Sequence, residues 1–297
     1  MRALAEFIMR GRMQAIVVVA GSAALPMLFW LSAAAGSLVL LRRGLNDALG
    51  VLVWALLPAL VWWYFGDPRT LLVLLGSFGL ALLLRNQGGW PRVMLCSVGL
   101  GVLYAWALGV VFGEPIAALA TELQKVLPDM LSDAYQQLSV EEQTRLGALL
   151  APVLTGLLAG LLQITTVLSL MLGRYWQALL YNPGGFGLEF RSLRFSLLPA
   201  MVLLLGMLVG PSLGVQVAML APLCSVPLVF AGIALVHGLV AKNRMSRFWL
   251  VGLYVTLVLF MQLIYPLLAV VAIVDSLFDF RGRASRDDDA GPANGEG

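Results

Sequence analysis

No Asp, Glu, Lys or Arg interrupts residues 195–241. An apolar run of about 18 residues is enough to cross hydrocarbon as a helix, so this stretch predicts two spans. Gly210, Pro211, Ser212, Leu213 and Gly214 in its middle predict the reversal between them. Apolar segments of the same kind lie at 13–24, 26–41, 45–65, 70–84, 93–112, 147–173, 195–209, 215–240 and 248–274, each bounded by charge, Pro or Gly. Lipid offers the backbone no hydrogen-bond partner, and the alternation of a barrel strand is missing, so these segments are read as helices. The expected fold class is all-α: a polytopic transmembrane helix bundle of about eight or nine membrane segments. It forms one integral membrane domain over 1–280, followed by a polar, Gly-rich tail over 281–297 that composition predicts to be disordered. The first two segments are short; the first can borrow residues from Leu4 onward, and Pro26 separates the pair.

The longest polar interruption is 113–145. Glu114, Glu122, Asp129, Asp133, Glu141 and Glu142 outnumber Lys125 and Arg145 there. Ile116, Leu119, Leu123, Val126, Leu127, Met130, Leu131 and Leu138 recur between the charges at helical spacing. The segment therefore reads as one or two amphipathic extramembrane helices lying on the bundle or the lipid surface. Pro128 is expected to start or kink the second. Ser139-Val140-Glu141-Glu142 reads as a capping box for the next span.

The distribution of Lys and Arg then orients the chain. With 13–41 as a hairpin broken at Pro26 and a cytoplasmic N-terminus, 13 of them fall inside and 6 outside. With 13–41 as one continuous span the split is 9 to 10, so the positive-inside rule selects the hairpin. That arrangement puts the acidic 113–145 segment outside. It also puts the C-terminus outside, despite Arg281, Arg283 and Arg286. The basic start (Arg2, Arg10, Arg12) resembles a signal peptide superficially, but no short apolar region with a cleavage site follows. A retained first helix is expected.

Composition narrows the chemistry. Apolar residues make up 60% of the chain and charged residues 12%, about half the charged share of a soluble domain. The net charge of +3 is scattered at helix ends and gives no signature of nucleic-acid binding. Cys96 and Cys224 are too few for a disulfide framework, have no metal-site spacing, and are read as small buried hydrophobes. No phosphate-binding loop, zinc-binding His pair or nucleophile elbow is present, so neither cofactor nor metal is expected and an enzyme is disfavoured. Ion-coupled carriers commonly hold a carboxylate at the bilayer midplane. Here Asp47, Asp67, Asp275 and Asp279 all sit near span ends. The deep polar residues are neutral: Gln163, Thr165, Thr166, Thr256 and Gln262. Gln163, Thr166, Gln262 and the lone histidine, His237, are the candidate ligand contacts; inter-helix hydrogen bonding is the competing reading.

The densest cluster of unusual residues is Arg174, Trp176, Gln177, Tyr181, Asn182, Pro183, Gly184, Gly185, Phe186, Glu189, Arg191 and Arg194. Arg174, Gln177 and Tyr181 share a helical face. Asn-Pro-Gly-Gly forces a turn, and Glu189 is placed to pair with Arg191 or Arg194. The cluster reads as a rigid cytoplasmic interfacial loop that anchors in the membrane or takes a partner protein or anionic head group. Two small-residue patterns, Ala20 with Ala24 and Gly156 with Gly160, permit close helix contact.

Leu41-Arg42-Arg43-Gly44, the 190–199 approach to a span, His237-Gly238-Leu239, and the closing Val274-Asp275-Ser276-Leu277-Phe278-Asp279-Phe280-Arg281 together resemble the YybS-like (DUF2232-type) bacterial membrane proteins, a family of unknown function. The 181–190 segment looks like the proteobacterial branch. The family often carries Gln where His237 stands. It is distantly similar to the substrate-binding S components of energy-coupling-factor vitamin transporters. Those are helical bundles without an ATPase that lean on a coupling partner through an Ala-xxx-Ala face of their first helix. The resemblance implies a multi-pass protein of the bacterial inner membrane acting as a non-enzymatic binding or transport component. Ala20 and Ala24 would meet an energy-coupling module or other membrane subunit, and the lipid bilayer would be the constant partner. The alternative is an assembly protein that recruits partners through 174–194.

Overall fold

The computed structural model describes residues 1–280; the tail expected to be disordered lies outside them. The helices are α1 (Arg2–Arg10), α2 (Arg12–Ala23), α3 (Phe29–Arg43), α4 (Leu45–Tyr64), α5 (Arg69–Leu83), α6 (Gly89–Leu131), α7 (Asp133–Gln136), α8 (Val140–Tyr181), α9 (Gly185–Arg191), α10 (Leu197–Leu213), α11 (Leu220–Lys242), α12 (Phe248–Leu259) and α13 (Met261–Phe278). Among the described residues there is no strand, and six helices are long and apolar enough to cross a membrane. Large apolar side chains such as Leu103, Trp106 and Val110 on α6 and Val258 and Leu259 on α12 stand exposed around the outside. Water does not tolerate a belt of that extent; hydrocarbon does.

Contacts between the helices set their directions. Arg85 donates to the Leu40 carbonyl (2.7 Å), Gln177 to the Leu41 carbonyl (3.1 Å) and Arg43 to the Met9 carbonyl (2.7 Å). The ends of α1, α3, α5 and α8 therefore meet at one end of the bundle, which is rich in arginine. At the other end Trp62 of α4 donates to the carbonyl of Ala24 after α2 (3.3 Å), and Arg145 of α8 to Pro211 of α10 (3.3 Å). Here α2 and α3 form a hairpin around Pro26, tied by Ser32 Oγ donating to the Val19 carbonyl (2.7 Å). The broken 13–41 hairpin read from the charge pattern is present. In the turn at this same end, hydrogen bonds from the Arg69 guanidinium hold the Asp67 carboxyl below the usual carboxylate range. Their contribution is complete above that range and fades as pH falls through the lowered value.

α11 is the central helix. Two thirds of its apolar window (67%) is buried, against 28% for α4 and α13. Glycines let backbones approach it and its neighbour α8. A methyl on Gly156 would sit 2.6 Å from the Met219 carbonyl, one on Gly173 2.7 Å from Ala34 of α3, and one on Gly232 2.2 Å from Leu268 of α13. Gly156 is the helix contact its spacing implied, and Gly160 faces the Pro222 carbonyl at 4.0 Å. Ala20 and Ala24 are different: Ala20 is half-buried and Ala24 exposed, on the outer side of α2.

Four expectations change. The 248–274 segment is two helices, not one, because Phe260 leaves helical geometry (φ −123°, ψ 43°) and reverses the chain. Tyr265 reaches Ser225 (2.8 Å) and Leu268 meets Gly232, so α13 runs parallel to α11. Its last turn ends beside Arg194, which lies 3.1 Å from Asp279 and donates to the Asp275 carbonyl at 3.0 Å. The C-terminal end of α13 therefore shares the basic end with Arg174 and Arg194, opposite to the side read from the sequence. Second, 113–145 is helical and largely exposed as read, but it begins at a bend and no helix starts at Pro128. α6 bends at Phe112 (φ −119°, ψ 20°), runs on to Leu131, and returns through α7 as the start of α8. Pro128 lies inside α6 and the break falls at Ser132 (φ 45°), while the Ser139–Glu142 capping box forms as read. Third, α10 continues through Pro211, and the chain turns only at Gly214. Fourth, Cys96 is exposed on α6, although Cys224 is buried.

Two outcomes follow from this packing. A reporter fused at Gly297 should lie on the same side as one inserted at Asn243 and opposite one inserted at Ser132; opposite sides for the first two would refute the reversal at Phe260. Gly232→Val should lower unfolding stability in detergent by about 1–3 kcal/mol, since the Leu268 backbone has to move to admit the side chain. An unchanged unfolding curve would contradict the close α11–α13 approach.

Candidate functional site

The basic end is organised by the stop of α8. Asn182 caps it, with its N–H on the Ala178 carbonyl (2.8 Å), and Gly184 adopts φ 87°, a left-handed conformation that favours glycine. The Asn182 amide fills the space where Gly185 lacks a Cβ. This turn lays the short helix α9 back across the bundle. Arg174 then forms an ion pair with Glu189, with Nε to Oε2 at 3.0 Å, and donates from Nη1 to Gln177 Oε1 (2.7 Å). Glu189 thus pairs with Arg174 rather than with Arg191 or Arg194. Arg191 donates back to the Gly187 carbonyl (2.8 Å) and Arg194 reaches α13.

An aromatic chain crosses the same region. Phe186 meets Trp90 and Tyr175 edge-on, each 6.1 Å between ring centres, and stacks on Phe190. Phe190 contacts the His237 ring (5.4 Å), which contacts Tyr254 (5.7 Å). His237 Nδ1 lies 2.9 Å from the Ile233 carbonyl and Nε2 3.3 Å from the Tyr254 hydroxyl. Nδ1 faces a carbonyl acceptor and so donates to it, and Nε2 faces the tyrosine hydroxyl. Trp176, expected on the loop surface, is instead fully buried. Tyr181 is exposed and carries the Arg42 guanidinium 3.9 Å above its ring.

Between α8, α9, α11 and α12 this scaffold encloses an open-mouthed cavity of about 650 Å³, within the range of small-molecule sites. Leu168, Met171, Phe230 and Ile233 form its apolar wall. His237, Tyr175 and Tyr254 line its middle, and Arg191, Arg244 and Arg247 its basic rim. A second, more polar cavity of about 620 Å³ lies beside it between Arg85, Trp90, Arg174, Gln177 and Glu189.

The candidates read from the sequence separate into groups. His237, Phe186 and Arg191 come together at the larger cavity, and Arg174, Gln177 and Glu189 at the smaller. Gln163 and Thr166 line neither. Gln163 donates to Ser97 (2.9 Å) and Thr166 bonds Tyr104 (3.0 Å), which donates to the Leu72 carbonyl (2.9 Å). These are the inter-helix ties of the competing reading. Gln262, read as a deep polar group, is exposed at the start of α13. Tyr254, Arg244 and Arg247 had no sequence signal as site residues; the turn at 243–247 brings α12 back beside His237. Trp90 had a faint one: an aromatic after Gly88-Gly89 at a span boundary.

Glu189→Ala should leave Arg174 half-buried without its carboxylate and loosen α9, costing about 1–3 kcal/mol. Faster amide exchange over 183–192, with the Arg174→Ala/Glu189→Ala double variant less perturbed than the sum of the singles, is the expected pattern. Full additivity would argue against coupling. Comparisons with protein-family models, with curated proteins and with solved structures return no match for this chain.

Proposed function

We propose that this chain is a multi-pass protein of the bacterial cytoplasmic membrane that binds a largely apolar small molecule in the α8–α9–α11–α12 cavity and performs no chemistry on it. The cavity itself carries this reading: about 650 Å³ of mostly apolar space, positioned by an ion-paired, aromatic-stacked scaffold. The basic end faces the cytoplasm, as expected for clustered arginines, and the shorter apolar helices α2, α10 and α12 complete the membrane-embedded bundle. The resemblance to YybS-like proteins and to vitamin-transporter S components agrees with a binding component whose energy, if it moves its ligand, comes from a partner. The outer side of α2 around Ala20, Gly21 and Ala24 is uncovered enough to serve such a contact; nothing lies within 4 Å of a Cβ added at Gly21. Recruitment of partners through 174–194 has less support. Arg174, Glu189, Phe186 and Phe190 turn inward, leaving mainly Tyr181–Gly184 and Leu188 for a partner.

Protein extracted in a mild neutral detergent should carry a co-purifying small molecule in native mass spectrometry. Ile233→Trp, which fills the cavity from α11, should remove that adduct while the protein remains folded. An adduct unaffected by Ile233→Trp would place the ligand elsewhere and defeat this assignment.

A further inference from the structure

The walls of the larger cavity are rich in rings. Five of its eighteen lining residues are Phe or Tyr, against 9% Phe, Trp and Tyr in the whole chain. The apolar composition of the chain does not account for this. A groove of about 530 Å³ between α5 and α6 is walled by Leu75, Leu80, Leu83, Leu100 and Leu103, with Tyr104 as its one ring. The Tyr104 hydroxyl is already engaged by Leu72 and Thr166. In the larger cavity the rings come from four elements: Tyr175 from α8, Phe186 and Phe190 from α9, Phe230 and His237 from α11, and Tyr254 from α12. They do not all pack against one another. Phe186 and Phe190 each have more than one ring neighbour. Among the described residues, however, Tyr175 and Tyr254 each meet a single ring and Phe230 meets none. Tyr175 and Tyr254 are also 41% and 45% exposed. Rings from three helices therefore border one space with aromatic surface still unmatched by another ring.

From these open rings we propose that the ligand carries a flat aromatic ring system, which sits between Tyr175, Phe230 and Tyr254 and completes their edge-to-face and offset contacts. The proposal rests on the cavity being the ligand site and adds the class of ligand. A saturated molecule of equal size would bury a similar apolar area but gain none of those contacts, because the attraction of ring edge for ring face comes from the aromatic quadrupole. Met171 and Met245, also in the lining, favour a ring further, since thioether sulfur packs well at ring edges. His237 Nε2 and the Tyr254 hydroxyl, 3.3 Å apart, place polar atoms beside that space, so a hydroxyl on the ring is accommodated. The planar guanidinium groups of Arg244 and Arg247 at the rim add surfaces able to stack on an aromatic face.

The test uses the full chain in dodecyl maltoside micelles and a matched pair of probes, β-naphthol and decahydro-β-naphthol. The two share a carbon skeleton and a hydroxyl and differ in aromaticity. Binding is read by isothermal titration, with the Ile233→Trp protein as the blank for probe that enters the micelle. β-Naphthol should bind on the order of tenfold more tightly than its saturated counterpart, the sum of several ring contacts. Tyr175→Leu/Tyr254→Leu, which keeps apolar bulk and removes two rings, should erase most of that preference and change decahydro-β-naphthol binding little. Both positions are exposed, so the fold should survive, and an unaltered melting curve checks it. Equal affinities for the two probes, both abolished by Ile233→Trp, would overturn the aromatic class and leave the cavity as a ligand site. A naphthol preference that persists in the double leucine variant would overturn the ring contacts and the proposal with them. Binding of both probes no stronger than in the blank would defeat the cavity assignment as well.

Discussion

The structure depends on how closely α8 can approach its neighbours. Between helices in lipid there is little hydrophobic gain to be made, since the surrounding chains are as apolar as leucine. Dispersion contact over matched surfaces has to do the holding, and its reach is short. Gly156 and Gly173, some four to five turns apart on one helix, let α8 touch the chain before α11 at one level and α3 at the other. The buried ties Gln163–Ser97 and Thr166–Tyr104 fix α8 against α6 between those levels. A helix clamped in this way delivers its C-terminal turn, with Arg174 and Gln177, to a fixed place at the basic end. Everything built there inherits its position from those glycines.

The polar groups are divided accordingly. Deep in the bundle the ties between helices are neutral, as in Gln163–Ser97 and Thr166–Tyr104, where an isolated charge would be costly. Charge appears where the hydrocarbon ends, and at the basic end two groupings of it hold helices together. Arg174 with Glu189 holds α9 to α8, and Arg194 with Asp275 and Asp279 holds the start of α10 to the end of α13. The second pairing also caps the last turn of α13, because Arg194 donates to the carbonyls of Asp275 and Ser276. Arg244 and Arg247 take no part in either pairing and line the larger cavity, whereas the wall of the smaller one contains the Arg174–Glu189 pair together with Arg85.

Helix content and most span positions were legible because hydrocarbon imposes a simple rule: a long apolar run must be a helix. The hairpin around Pro26 was legible from charge counting, and the capping box from its spacing. Phe260 was not. An aromatic residue inside an apolar run carries no local signal for a break, and the reversal is set by how α13 packs against Gly232. Missing that one turn inverted the C-terminal side. Among the candidate site residues, the turn Asn182-Pro183-Gly184-Gly185 was readable from backbone chemistry. The pairing of Arg174 with Glu189 was not, since residues fifteen positions apart meet only once α9 folds back. Gln163 looked like a ligand contact for the opposite reason: sequence shows that a deep amide exists but not that Ser97 already engages it.

The break at Phe260 also explains why a cavity exists here at all. A single straight span over 248–274 would lie against α11 along its whole length and close the space beside His237. Split in two, the segment packs tightly only through α13, while α12 returns toward the opposite end with no buried residue and leaves a gap against α8. The gap is bordered by arginines of the α11–α12 turn and of α9. Apolar side chains of α8 and α11 and arginines from two separate turns therefore border one space, and the cavity is amphipathic because four elements meet there.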